Sequence, residues 1–107
     1  MAKEKIIDRL SYIVSDISSL TVSVNDDGSV KITVDMHGYG HLLAKKVLRE
    51  IILMFRNLSF EIVVIHGYNS GTVLLETIRN DFENERIVEK KAYPYNPGIT
   101  SLFVKAA

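Results

Sequence analysis

The sequence predicts an α/β domain on a mixed sheet, with elements in the order α, β, β, α, β, α, β, β. Three observations carry this. Phe60-Glu61-Ile62-Val63-Val64-Ile65 is a nearly unbroken apolar, β-branched run, the pattern of a strand covered on both faces in a parallel sheet. His66-Gly67-Tyr68-Asn69-Ser70-Gly71 breaks that run, and apolar residues then return at helical spacing at Leu74, Leu75, Ile78 and Phe82. Two alternating runs flank Asn25-Asp26-Asp27-Gly28, a turn signal, and so predict a β-hairpin.

In chain order, residues 3–19 predict an amphipathic helix. Ile6, Ile7, Leu10, Ile13, Val14 and Ile17 share one stripe, opposite Lys3, Asp8, Arg9 and Asp16. Leu20, Val22 and Val24 alternate with Thr21 and Ser23. Val30, Ile32, Val34 and Met36 alternate with Lys31, Thr33, Asp35 and His37. If the second strand runs to its end, Asp35 and His37 point the same way, opposite Val34 and Met36. His37-Gly38-Tyr39-Gly40 leads into a helix over residues 41–57. Its broad apolar face (Leu43, Ala44, Val47, Leu48, Ile51, Ile52, Met54, Phe55) predicts deep burial. Residues 72–84 predict the next helix. Residues 86–93 predict an edge strand, because Glu89-Lys90-Lys91 is charged. Residues 94–98 predict a loop and residues 99–105 the last strand. Helices between strands in the middle of the chain predict right-handed crossovers and parallel neighbours there.

Composition bounds the function. A length of 107 residues fits one domain, spanning 1–107, and 47% apolar residues supply a core. A net charge of zero gives no global attraction to nucleic acid or to an anionic membrane, so such binding needs a local patch. The absence of cysteine excludes disulfides, thiolate catalysis and Cys-ligated zinc. There is no signal-like block, and no apolar run nears the ~20 residues of a membrane span. A cytoplasmic location and no membrane partner are the expectation.

The glycine turn after residue 65 aims backbone N–H groups and a helix start at one spot, which suits an anion such as phosphate. It is not a Walker loop, since three residues separate Gly67 from Gly71 and no Lys follows. Nor is it a dinucleotide fingerprint, which needs a third glycine. If the strands ending at Asp35 and Ile65 are parallel neighbours, then Asp35, His37, His66 and the 67–71 amides converge at one sheet edge, where open α/β sheets bind ligands. His37 there is a general acid or base with Asp35 orienting it. The alternative is that Asp35 caps the following turn and His37 bonds to nearby backbone. His66 either contacts a phosphate or bridges the two turns. No metal ligand set is assigned, with three histidines and no cysteine available. Lys45, Arg49 and Arg56 lie within roughly 40° of one helical line, either a solvated face or a track for a nucleic-acid backbone. Tyr39, Tyr68, Tyr93 and Tyr95 lie in or beside the loops, placed to stack on unpaired bases or to cover a sheet edge.

Three motifs in order carry a family resemblance. They are Val34-Asp35-Met36-His37-Gly38, Ile65-His66-Gly67-Tyr68-Asn69-Ser70-Gly71 and Asn96-Pro97-Gly98-Ile99. Over residues 32–104 the chain resembles the small MutS-related (Smr) domain, with a helix and strand at residues 3–25 added. The resemblance implies a two-layer fold with a βαβαββ core, related to the C-terminal domain of translation initiation factor three. It implies binding to DNA or RNA, with nicking endonuclease activity in many members. It places Asp35 and His37 as catalytic, and His66, Gly67, Tyr68, Asn69, Ser70 and Gly71, with Lys45 and Arg49, as binding residues. No organic cofactor is implied, and a divalent metal ion is left open. The turn departs from the family pattern at Tyr68, where a basic residue is common, and at Asn69, where Gly is common. Those departures and the zero net charge support an alternative: a non-catalytic module on the same fold. It would bind a protein or a second copy through the N-terminal helix or the tyrosine-rich edge.

Overall fold

A computed structural model describes residues 2–67 and 72–107. Five strands form one open mixed sheet in the order β1-β2-β3-β5-β4. The elements are α1 (Lys3–Leu10), a 3₁₀ turn (Ile17–Ser19), β1 (Leu20–Val24), β2 (Val30–Asp35), α2 (His41–Met54), β3 (Phe60–Ile65), α3 (Val73–Glu76) with a π-helical turn (Thr77–Asp81), β4 (Ile87–Tyr93) and β5 (Asn96–Val104). β2 and β3 are parallel, and every other pairing is antiparallel. The predicted hairpin is β1–β2, with Val22 opposite Ile32, and β4 is an edge strand as its charges require.

One face of the sheet builds the core. Ile32, Val34, Ile62, Val64 and Leu102 alternate inward and meet Ile6 and Leu10 of α1, Leu48 and Ile51 of α2, and Ile78 and Phe82 beyond α3. The other face of β3 carries no helix among the described residues, contrary to the double covering its apolar run predicts. Val63 there is buried, but it lies outside the helix-packed core and has Thr33 and Ser101 beside it on the adjacent strands.

Several boundaries depart from the periodicity, each for a local reason. α1 stops at Leu10, because the Ser11 hydroxyl and the Tyr12 and Ile13 amides turn back on Asp8, Arg9 and Leu10. The Asp16 carboxylate then caps a separate 3₁₀ turn by accepting from the Ser18 amide. α2 ends at Met54, and Leu43 is 48% exposed despite its place on the apolar face. α3 has four residues before it widens to the π turn, which still delivers Ile78 and Phe82 to the core. The predicted 94–98 loop shrinks to a two-residue turn at Pro94 and Tyr95, since Asn96 already pairs with Tyr93. β2 ends two residues early, at Asp35 rather than His37, with the Met36 amide still donating to the Ile65 carbonyl at 2.8 Å.

The end of the sheet away from those strand ends is closed by Arg86, which is 7% exposed. Its guanidinium donates to the carbonyls of Ile52, of Phe55 at 2.8 Å, of Leu58 at 3.0 Å and of Lys105 at 2.7 Å. Helix ends leave carbonyls without intrahelical partners, and a cation there also matches the helix dipole. It also sits 6.0 Å from the centre of the Phe60 ring. Arg86 therefore fastens the end of α2 to β4 and β5 in one group. Arg86→Met should cost about 2–4 kcal/mol in urea unfolding, because buried carbonyls lose their donors. Arg56→Met, at an exposed neighbour, should cost under about 0.5 kcal/mol. Equal losses for the two variants would contradict this role.

Candidate functional site

The parallel register places Asp35 beside Ile65, so the chain leaves β2 and β3 at the same sheet edge. From β2 it makes a tight turn closed by the Tyr39 amide on the Met36 carbonyl at 2.9 Å. Gly38 takes φ +87° in that turn, a left-handed conformation that favours glycine. From β3 the chain passes through His66 and Gly67. Both amides donate to the Gly98 carbonyl of β5, at 2.9 and 3.0 Å. Gly98 approaches Gly67 so closely that a Cβ on Gly98 would lie 3.2 Å from the Gly67 Cα. The Asn96 side chain fixes the start of β5 by accepting from the Gly98 amide at 3.0 Å.

All three sequence motifs thus meet. The His37 Cβ lies 3.9 Å from where a Cβ on Gly67 would stand. Asp35 and His37 are side by side, with His37 Nδ1 2.5 Å from Asp35 Oδ1. The same carboxylate oxygen accepts from the His37 amide at 3.1 Å, so Asp35 both shapes the turn and orients the ring. An ionised carboxylate only accepts, so the proton of this bond sits on Nδ1. Nε2 then has no hydrogen-bond partner among the described residues, on a side chain 74% exposed. Among the described residues, no group of three or more His, Asp or Glu side chains is placed to hold a metal ion.

His66 is built differently. It is buried, and both its ring nitrogens are engaged. Arg79 Nε donates to Thr100 Oγ1 at 2.8 Å, so the Thr100 hydroxyl proton is free to donate to His66 Nε2 at 2.9 Å. Nδ1 then carries the proton and donates to the Gly67 carbonyl at 2.8 Å. The ring bridges β3 to β5 and offers no nitrogen to a phosphate, so of its two expected roles it takes the bridging one, with β5 rather than the turn after β2 as the partner. Arg79 and Thr100 went unnoticed in the sequence, where nothing local marks a contact between residues 79 and 100. Arg79 also donates to the Pro97 carbonyl at 3.3 Å.

Tyr39 is partly buried against the core, and burial, then the Asp16 and Asp35 charges, push its phenol pKa up. It is no free stacking platform, whereas Tyr95 is 99% exposed at the β4–β5 turn, at the same end of the sheet as Gly67. Lys45 is half-buried and Arg49 exposed, both on the outer side of α2. Tyr68, Asn69, Ser70 and Gly71, expected as binding residues, lie outside the described residues.

Burial is the main cause that lowers the His66 pKa below 6.5. The Gly67 carbonyl opposes it and the Arg79 charge adds to it. Between that lowered value and 6.5, the unfolded chain binds a proton that the native chain does not. The contribution is therefore full above 6.5 and is lost on acidification, levelling off below the native value. Urea unfolding between about pH 7.5 and about pH 5 should show wild type losing more stability than His66→Gln. Parallel losses would contradict the buried, neutral ring.

No family model matches the chain, and neither a curated protein nor a solved structure matches it.

Proposed function

We propose that this chain is a nucleic-acid-binding domain with nicking endonuclease activity on DNA or RNA, of the small MutS-related type. The observation that carries the reading is the Asp35–His37 pair: an imidazole oriented through Nδ1, with Nε2 unpartnered among the described residues at an exposed sheet edge. A base held this way accepts the proton of a water or a ribose hydroxyl as that oxygen forms its bond to phosphorus. The bond from phosphorus to the departing oxygen breaks, and that oxygen takes a proton from water. Asp35 stabilises the imidazolium that forms, by the bond it already makes.

Two further features support the reading. The element order from β2 onward is β, α, β, α, β, β, the order the resemblance implies. α2 begins just after the dyad turn at Gly40, with no side-chain cap and no acidic residue in its first turn. Its amides and dipole add to a field that suits a phosphate beside His37. His66 enters as a positioning residue, holding Gly67 against β5.

Cleavage of single-stranded, branched and nicked-circle DNA and RNA, with divalent metal and with chelator, tests the reading. Wild type should cleave at least one of these, and His37→Ala purified alongside should be slower by roughly 10²–10⁴-fold. Equal rates in both preparations, or no cleavage across the panel, would contradict it; the second result would favour the non-catalytic module.

A further inference from the structure

At the far end of α2 from the dyad, a cleft of about 470 Å³ opens between the helix and residues 84–86. Arg49, Leu53 and Arg56 line one side, and Asn84, Glu85 and Arg86 the other. Three arginines therefore line one cleft with a single side-chain carboxylate, and of the three only Arg49 and Arg56 are exposed, the Arg86 guanidinium being buried on backbone carbonyls. The ion pairs among the described residues are Asp35–His37 and Lys90–Glu83, so neither Arg49 nor Arg56 is paired there. Both are exposed, with their donors open to a ligand.

A helix C-terminus ordinarily repels an anion. Here Arg86 spends its donors on the carbonyls of Ile52, Phe55 and Leu58, which offsets that end of the dipole. Its own positive charge has no acidic partner within ion-pair distance among the described residues. Of the side chains that line the cleft, with Ile52, Leu53, Asn84 and Ala107 uncharged, three are cationic and one, Glu85, is anionic. Arg guanidinium also matches phosphate geometry through paired N–H donors, which a lysine cannot do.

We infer that this cleft is a distal phosphate subsite, in which Arg49 and Arg56 grip a backbone phosphate of the strand whose reacting phosphate sits at His37. The inference rests on the nucleic-acid reading and adds a path and a length to it. Lys45 lies one helical turn before Arg49, nearer the dyad, and Arg56 follows just past the end of α2 at Met54. The thirteen residue steps of α2 from His41 to Met54 cover about 20 Å at 1.5 Å per residue. That is about six nucleotides at the 3.4 Å stacked rise of one strand, and fewer if the bases unstack.

Binding of fluorescent single-stranded oligonucleotides of about three and about twelve nucleotides, read by anisotropy across a salt series, tests the length claim. All proteins would carry His37→Ala to prevent cleavage. The longer oligonucleotide should bind more tightly, and Arg49→Ala with Arg56→Ala should remove most of that advantage. The pair should also flatten the slope of log affinity against log salt by about 1.4, two contacts at ≈ 0.7 each. The short oligonucleotide should be indifferent to the pair. Glu85→Gln should shift affinity the other way, a result that damage to the fold would not give. Inorganic phosphate should compete only at concentrations far above those of the longer oligonucleotide, whereas equal competition would mark a site for free phosphate and overturn the strand path. If the parent binds the long oligonucleotide and the arginine variant binds it equally, the subsite is overturned and the dyad reading stands. If the parent binds neither oligonucleotide, both fall.

Discussion

The arrangement depends on the parallel pairing of β2 with β3. A strand alone carries its terminal residues wherever its loop allows. Paired from Val30–Phe60 to Asp35–Ile65, and continued by the Met36 amide on the Ile65 carbonyl, the two strands end in the same place. The pairing is held by inward side chains that α2 covers, Ile32, Val34, Ile62 and Val64, all buried. A slip of β2 by one residue would turn Ile32 and Val34 outward and Asp35 inward, so burial fixes the register and with it the dyad.

The two ends of this layer do opposite work. At the site end, polar groups are shared between neighbouring turns. Gly98 accepts from two amides, His66 is locked between Gly67 and Thr100, and Asp35 serves both the His37 amide and its ring. Among the described residues, His37 Nε2 is a ring nitrogen without a partner. At the other end, Arg86 gathers carbonyls from α2, from the turn after it and from the chain end. Positive charge collects there on Arg49, Arg56 and Arg86. α2 joins the two ends, so a ligand lying along its outer side meets a reactive group at one end and cations at the other.

Much of this was legible in the sequence, because it rests on short-range patterns. Alternation gave β1 and β2 and put Asp35 opposite Val34, but the strand stops at Asp35, and His37 comes beside it through the turn that follows. The β-branched run located β3, and the charges of Glu89, Lys90 and Lys91 marked an edge strand. What escaped depends on partners distant along the chain. The helical stripe of residues 3–19 continues past Leu10, because Ile13 and Val14 still pack inward after the helix has ended. Serine and aspartate at residues 15–19 were the available sign of the break. His66 looked like a ligand contact because a strand end points at the site. Its burial comes from Thr100 and Arg79, which no spacing in the sequence ties to residue 66. Arg86 read as the start of a charged strand, and only the meeting of three chain segments makes it a cap.

The most direct test of a nucleic-acid site at the joined strand ends is a map of backbone amide shifts as a single-stranded oligonucleotide is added to His37→Ala protein. Perturbations at residues 35–41, at Gly67 and along the outer side of α2 are the predicted result. Perturbations confined to β1 or to β4, or none at all, would contradict it.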